Sequence, residues 1–273
     1  MNAFKILLSA FQRKTAAAAT AQPDKGSREK VSINRIQYNG GHVKFSTPND
    51  ATQWRVDTFF SKEPDTLAWI KTFEPGEILV DVGANVGMYT IWAAKTRGIR
   101  VYAFEPESQN YAVLYQNIVL NELSQQVIAY CAALSDESAF SLLHLGAFES
   151  GGSMHSFGEK VDFKLEHRET RVSQGCISTT LDELVAKCTI PMPDHIKIDV
   201  DGLEHKVLAG ARNVLADRRL KSILIEINTN LELHRKIITD MQTLGFSFSQ
   251  QQVAIALRTE GPFKGVGNHV FRR

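Results

Sequence analysis

The densest chemistry in this sequence lies in Asp81-Val82-Gly83-Ala84-Asn85-Val86-Gly87 and in Glu105. The stretch ILVDVG reads as a short buried strand, and VGMYTIWAAKTRG as a helix closed by Gly98. A glycine turn at that junction lets backbone approach a ligand closely, and the helix N-terminus presents unpaired N–H groups. Glu105 falls at the end of the next strand, about 20 residues on, where a carboxylate can accept both hydroxyls of a ribose. A dinucleotide would want G-x-G-x-x-G, whereas the spacing here is Gly83-x-Asn85-x-Gly87. Asp81 would repel a diphosphate and suits a cationic amino-acid group. S-adenosyl-L-methionine carries an ammonium, a sulfonium, a ribose and only one carboxylate, so charge favours it over NAD. Asp81 would then meet the ammonium, directly or through water; the plain alternative is an Asp capping a helix beside an ordinary turn.

A second group of ionisable residues lies further along. In His195-Ile196-Lys197-Ile198-Asp199 the odd positions share one face of a strand, with Asp199 at the crevice end. Asp201-Gly202-Leu203-Glu204 follows, Glu204 starting a helix, and the strand SILIEIN delivers Glu226 with Asn228 on the same face. Ligands of open α/β sheets bind outside the carboxyl ends of the strands, so Asp199, Glu204 and Glu226 are expected to converge on one pocket.

ILVDVGANVGMYTIWAA, then AFEPE, then IKIDVDGLEHKVLAGA resemble, in order and spacing, the hallmarks of FkbM-type S-adenosylmethionine-dependent methyltransferases, over roughly residues 60–245. The resemblance implies an α/β class I methyltransferase fold: a Rossmann-like three-layer sandwich on a mostly parallel seven-stranded sheet whose last strand is antiparallel. It implies that Asp81, Gly83, Asn85 and Gly87 hold the methionine end and Glu105 the ribose. The Ala132-Ala133-Leu134 turn would line the adenine, and Thr90, on the first helical turn, is a further candidate for a cofactor hydrogen bond. It also implies the acceptor: a hydroxyl on a sugar, glycan precursor or other secondary metabolite. The family has Glu where this chain has Asp201; the charge survives with a reach one methylene shorter, so Asp201 stays outside the catalytic set.

Methyl transfer is an in-line displacement at carbon, and the protein must mainly align nucleophile, methyl and sulfur. A hydroxyl ionises reluctantly and needs a general base or a metal ion. Asp199 is a candidate for that base, for a partner of the cofactor ammonium, or for a ligand, with Glu226 and Asn228, of a hard divalent cation; no metal is assigned. Glu204 and Glu226 are catalytic candidates beside it. The plain alternative has Glu204 favouring its helix N-terminus and Lys197 neutralising Asp199. His155, in the Gly/Ser-rich stretch SGGSMHSFG, could carry a base on a loop closing over the acceptor. Glu63, before a helix capped by Asp65, is a further cofactor candidate. Trp54, Trp69 and Trp92 read as packing rather than a sugar platform. N-methylation of a small molecule, where an amine already offers a lone pair, and a non-catalytic cofactor-binding partner subunit stand as alternatives to O-methylation.

These side chains need a scaffold, and the composition allows one. Of 273 residues, 43% are hydrophobic, enough for a full core. Lys and Arg total 31 against 30 for Asp and Glu, a formal charge of +1. That balance, with no basic stripe interleaved with aromatics, makes no case for a nucleic-acid partner and leaves a small-molecule or glycan acceptor. Cys131, Cys176 and Cys188 form no C-x-x-C pair, which argues against a disulfide scaffold or structural zinc and suits a cytoplasmic setting. Residues 1–30 read as a flexible extension; their apolar run from Ile6 to Phe11 is too short for a bilayer, which needs about 20 residues, so no stable membrane insertion is expected. Residues 31–48 read as a β-hairpin in which Asn39-Gly40-Gly41 supplies the positive φ angles of a tight turn. Residues 50–273 read as the methyltransferase domain, strands alternating with helices, which demands a parallel sheet covered on both faces. The interval at about 135–178 breaks that rhythm as an inserted loop with extra antiparallel strands, a lid or substrate wall. The end, QQVAIALRTEGPFKGVGNHVFRR, reads as a closing hairpin. The oligomeric state is not legible, and a homodimer is compatible with the sequence.

Overall fold

Residues 32–273 are described by a computed structural model; the extension read over residues 1–30 lies outside them. β1 (Ser32–Tyr38) and β2 (Gly41–Thr47) form an antiparallel hairpin. The positive φ at its turn falls on Gly41, at 139°, rather than on the Asn-Gly pair. Val43 and Phe45 anchor the hairpin in the core. α1 (Asp50–Asp57) starts from an Asn49–Thr52 capping box, which satisfies donors a helix start leaves open. α2 (Phe59–Lys62) and α3 (Pro64–Ile70) follow. Asp65, read as a cap, sits inside the first turn of α3 instead: Glu63 is the N-cap residue and Pro64, with its φ preset for a helix, opens the turn.

The alternation then runs β3 (Ile78–Val82), α4 (Met88–Arg97), β4 (Arg100–Phe104), α5 (Ser108–Leu120) and β5 (Val127–Tyr130). The apolar run 126–134, whose pattern predicts a single strand, is divided: after Tyr130 the chain leaves the main sheet, and β6 (Ala133–Leu134) pairs elsewhere. β6 joins β7 (Phe140–His144), β8 (Ser156–Phe157) and β9 (Ser173–Thr179) in a small sheet of order β6-β9-β7-β8. Within that interval the alternation of residues 161–174 predicts a strand, but only its end is one, and an isolated Val161–His167 bridge is its other pairing. The chain returns through α6 (Leu181–Ala186), β10 (His195–Ile198), α7 (Glu204–Ala209), α8 (Arg212–Ala216), β11 (Ser222–Asn228), α9 (Glu232–Thr243), β12 (Ser247–Phe248), α10 (Gln250–Ala256) and β13 (Val266–Arg272). The closing hairpin is thus a helix and a strand: Ser249 accepts a hydrogen bond from the Gln252 N–H and starts α10.

The main sheet has seven strands in the order β12-β13-β11-β10-β3-β4-β5. β10 runs parallel to β11 and β3, and β3, β4 and β5 are parallel to one another; β13 is antiparallel to both β11 and β12. Trp69, Ile91, Leu114 and Ile118 fill one face, carrying α3, α4 and α5. Leu181, Val207, Leu215, Ile237 and Met241 fill the other, carrying α6 to α9. Two covered faces explain why β10 is buried throughout. This is the class I methyltransferase sandwich. No helix among the described residues is long and apolar enough to cross a membrane.

Candidate active site

The carboxyl ends of β3, β4 and β10 open onto a cavity of about 450 Å³, adjoined by a smaller one of about 40 Å³. Gly83 turns the chain out of β3 with φ 78°, and a Cβ there would run into the Asp199 carbonyl. Only glycine lets the two strand ends lie this close. Gly87 has φ 83° and a Cβ there would strike Leu114, yet it lies outside both cavities, so it serves helix packing. Asn85, at φ 51°, donates its N–H to Glu105 Oε2 at 2.7 Å. Glu105 Oε1 accepts from the Glu107 N–H at 3.0 Å. Two backbone donors thus fix Glu105 on the wall of the larger cavity, and burial pushes its carboxyl up to about 7. Phe104, Ala133, Leu134 and Leu143 make an apolar wall in the same cavity. The break after Tyr130 is what brings Ala132 and Ala133 there.

Asp81 is buried in the smaller cavity. Its Oδ2 accepts from the Thr90 hydroxyl at 2.5 Å, and its Oδ1 has no partner among the described residues. Burial pushes this carboxyl up, opposed by Lys197, its register partner on β10. Thr90 is wholly buried outside both cavities, so it steers Asp81 rather than touching a ligand. Asp199 lines both cavities and accepts from Lys197 Nζ at 2.9 Å. Burial acts against the Lys197 charge, but Asp199, Asp81 and Glu63 carry its pKa upward. Glu63 lies outside both cavities; burial pushes its carboxyl up, yet Lys62 and Lys197 hold it down at about 2.

Asp201 lines the larger cavity with φ 54°, and its Oδ2 accepts from the Met154 N–H at 2.7 Å. Burial, and then Asp199, push its carboxyl up to about 6. Glu226 also lines the cavity; Arg258 Nη1 donates to it at 3.0 Å, while burial and Asp199 raise it well above the usual range. Glu204 does not join them. It is 1% exposed, outside both cavities, and accepts from the N–H groups of Val200 at 2.9 Å and Gly202 at 3.1 Å. It therefore shapes the loop that carries Asp199 and Asp201, and burial pushes it up to about 8. The cation set of Asp199, Glu226 and Asn228 is not assembled either. Asn228 Nδ2 donates to the Phe163 carbonyl and its Oδ1 accepts from Asn230. Among the described residues no cluster of three or more His, Cys, Asp or Glu has the arrangement of a metal site.

The segment between β7 and β8 roofs the cavity. The Ser150 carbonyl accepts from Asn49 Nδ2 at 2.9 Å, and the Gly151 carbonyl from Arg55 Nε at 3.0 Å and Nη2 at 2.7 Å. The Gly152 carbonyl accepts from Nδ2 of both Asn85, at 2.7 Å, and Asn110, at 3.1 Å. His155 follows and lines the cavity. Its Nδ1 accepts from the Gly146 N–H at 3.2 Å, which assigns the neutral ring's proton to Nε2, a buried atom with no partner. Burial lowers the His155 pKa. This histidine is set to donate rather than to abstract a proton. Among the described residues, Asn85, Met154 and Asp201 are three of the six non-glycine residues with positive φ, and all three line the cavity, as strained backbone at a functional site does. Sequence reasoning missed Arg55, Lys62, Lys206, Arg258 and Phe263, which also line it. Trp54, read as packing, is 51% exposed and lines it too. The available signal was the Trp-Arg pair on a helix whose only buried residue is Thr52.

The residues present fit S-adenosyl-L-methionine. Asp81 offers an unpartnered buried oxygen to an ammonium, Glu105 offers a fixed carboxylate to a diol, and the apolar wall offers a face to a purine. The family profile described as Methyltransferase FkbM domain matches residues 81–248. The chain is 27% identical over 214 residues to the 31-O-demethyl-FK506 methyltransferase FkbM of Streptomyces tacrolimicus, spanning 68% of this chain and 78% of that one. It is 24% identical over 200 residues to the hexuronic acid methyltransferase AglP of Haloferax volcanii, spanning 72% of this chain and 74% of that one. Among solved structures, precorrin-6y C5,15-methyltransferase from Geobacter metallireducens aligns with a TM-score of 0.45 at 15% identity, covering 78% of this chain and 89% of that one.

Proposed function

The chain belongs to the FkbM methyltransferase family, and from that premise we propose that it is an O-methyltransferase acting on a hydroxyl of a sugar, glycan precursor or other secondary metabolite. Its methyl donor is S-adenosyl-L-methionine, which supplies a methyl group already activated by the sulfonium charge. Two relatives act, by their names, on 31-O-demethyl-FK506 and on a hexuronic acid, which supports a hydroxyl acceptor that is a small molecule or a glycan. The free Cys131, Cys176 and Cys188 suit a cytoplasmic setting.

The observation that carries the reading is Asp201, a carboxylate in the same cavity as Glu105 with its proton affinity raised to about 6. One oxygen is held by the Met154 N–H, and the residue takes the role of general base. It receives the hydroxyl proton as the acceptor oxygen forms its bond to the methyl carbon and the carbon–sulfur bond breaks. A base poised near the working pH suits this transfer. Asp199, which lines both cavities, joins Asp81 on the ammonium side, so of the three roles read for it, it takes the one toward the donor. Glu226, held by Arg258, and the His155 Nε2–H orient the acceptor, and Glu204 holds the loop beneath.

Calorimetry on the full chain with S-adenosylmethionine and S-adenosylhomocysteine, followed by methyl transfer to uronic acid glycosides and hydroxylated macrolides, tests the reading. Uptake of both nucleosides and an oxygen-linked methyl are expected. Methyl appearing only on amines would replace O-methylation with N-methylation. Folded protein that takes up neither nucleoside removes the donor assignment.

A further inference from the structure

The amino-acid end of the donor is a zwitterion, and the smaller cavity holds one unmatched group of each sign. Lys62 pairs with Glu63 at 2.7 Å, Lys197 with Asp199 at 2.9 Å, Arg258 with Glu226 at 3.0 Å, and Lys206 with Glu159. Arg55 is the exception among the cations lining the two cavities: no carboxylate of the described residues lies within ion-pair distance of it. Its hydrogen bonds, through Nε and Nη2, go to the neutral Gly151 carbonyl, which leaves Nη1 open to a ligand. Asp199, Asp201, Glu63 and Glu105 act on this half-buried guanidinium only from beyond ion-pair distance, so it lacks a direct partner, and its planar fork matches a carboxylate. The unmatched anion is Asp81, whose Oδ1 is buried and unpartnered. Both residues line the same cavity of about 40 Å³, and Arg55 lines the larger one as well.

We propose that Arg55 binds the α-carboxylate of the methyl donor while Asp81 takes its ammonium, which makes α1 part of the donor site. The inference rests on the donor reading above and adds the residue that recognises the acid group. The same guanidinium holds the roof through Gly151, so one side chain touches both the donor's tail and the segment carrying His155.

The test is calorimetry on the full chain with S-adenosylmethionine and with its decarboxylated analogue, which lacks only that acid group. Wild type is expected to prefer the intact donor by roughly 10–100-fold, the value of a charge-assisted hydrogen-bonded pair. Arg55→Gln, whose amide can still reach Gly151, is expected to bring the two ligands within about twofold, and Arg55→Lys to retain part of the preference. The ratio of two ligands on one variant is insensitive to a general loss of stability. An Arg55→Gln protein that keeps the wild-type ratio overturns the assignment. Wild type that binds neither ligand fails at the donor reading instead.

Discussion

Unlike Asp199 and Glu226, which pair with Lys197 and Arg258, Asp201 has one oxygen held by a backbone donor and, among the described residues, no cation within ion-pair range. Its carboxyl must be ionised to accept a proton, and its raised value of about 6 means that kcat/KM falls as pH drops through that value. Asp201→Asn is expected to lower kcat roughly 10²–10³-fold and remove the acidic limb of the profile, with donor affinity within about twofold of wild type. Steady-state kinetics from pH 5 to 8, with calorimetry for the donor, checks this; an unchanged profile returns the base role to Asp199. The sequence alone brought Asp81, Gly83, Asn85 and Glu105 to one crevice, because the first three share a short motif and Glu105 follows the next strand, whereas Gly87 and Thr90, read with them, lie outside both cavities. Asp201 was legible as a charge and not as a candidate base. Its setting comes from φ 54° and from the N–H of Met154, 47 residues away, and no local pattern announces either.

The loop after β10 is held by a side chain that never reaches the cavity. Glu204→Ala would leave the buried N–H groups of Val200 and Gly202 without their acceptor, at an expected cost of about 1–3 kcal/mol in urea denaturation. Activity should fall as well, since Asp199 and Asp201 ride on that loop; full stability with full activity would contradict this role. Periodicity made β3, β4, β10 and β11 readable, because buried parallel strands are short apolar runs between turn signals. It failed at residues 126–134 and 250–256. The first run is divided between two sheets, and the second is a helix because Ser249 caps it. Short apolar runs carry too little pattern to decide such cases against tertiary pairing.

Across the whole molecule, the cavity gathers side chains from α1, the ends of β3, β4, β10 and β11, the roof and the segment before β13. A ligand that touches all of them should brace the domain against global unfolding. S-adenosylhomocysteine at 100 times its Kd is expected to stabilise by about 2.7 kcal/mol, a rise of roughly 5–10 °C in Tm by scanning calorimetry for a domain of this size. No shift at saturation would place the nucleoside elsewhere. The sheet's seven strands, mostly parallel with the last one antiparallel, were accessible through the family's motifs, whereas the position of α1 over the crevice was not, since nothing in its own sequence points to the strands it covers. That placement has a consequence for how activity is divided along the chain. The span shared with the family profile, 81–248, contains Glu105 and the apolar wall, while Trp54, Lys62, Arg258 and Phe263 fall before or after it. Relatives alike through the middle can therefore part company in what they modify, because much of the vocabulary for choosing a target is written in the margins.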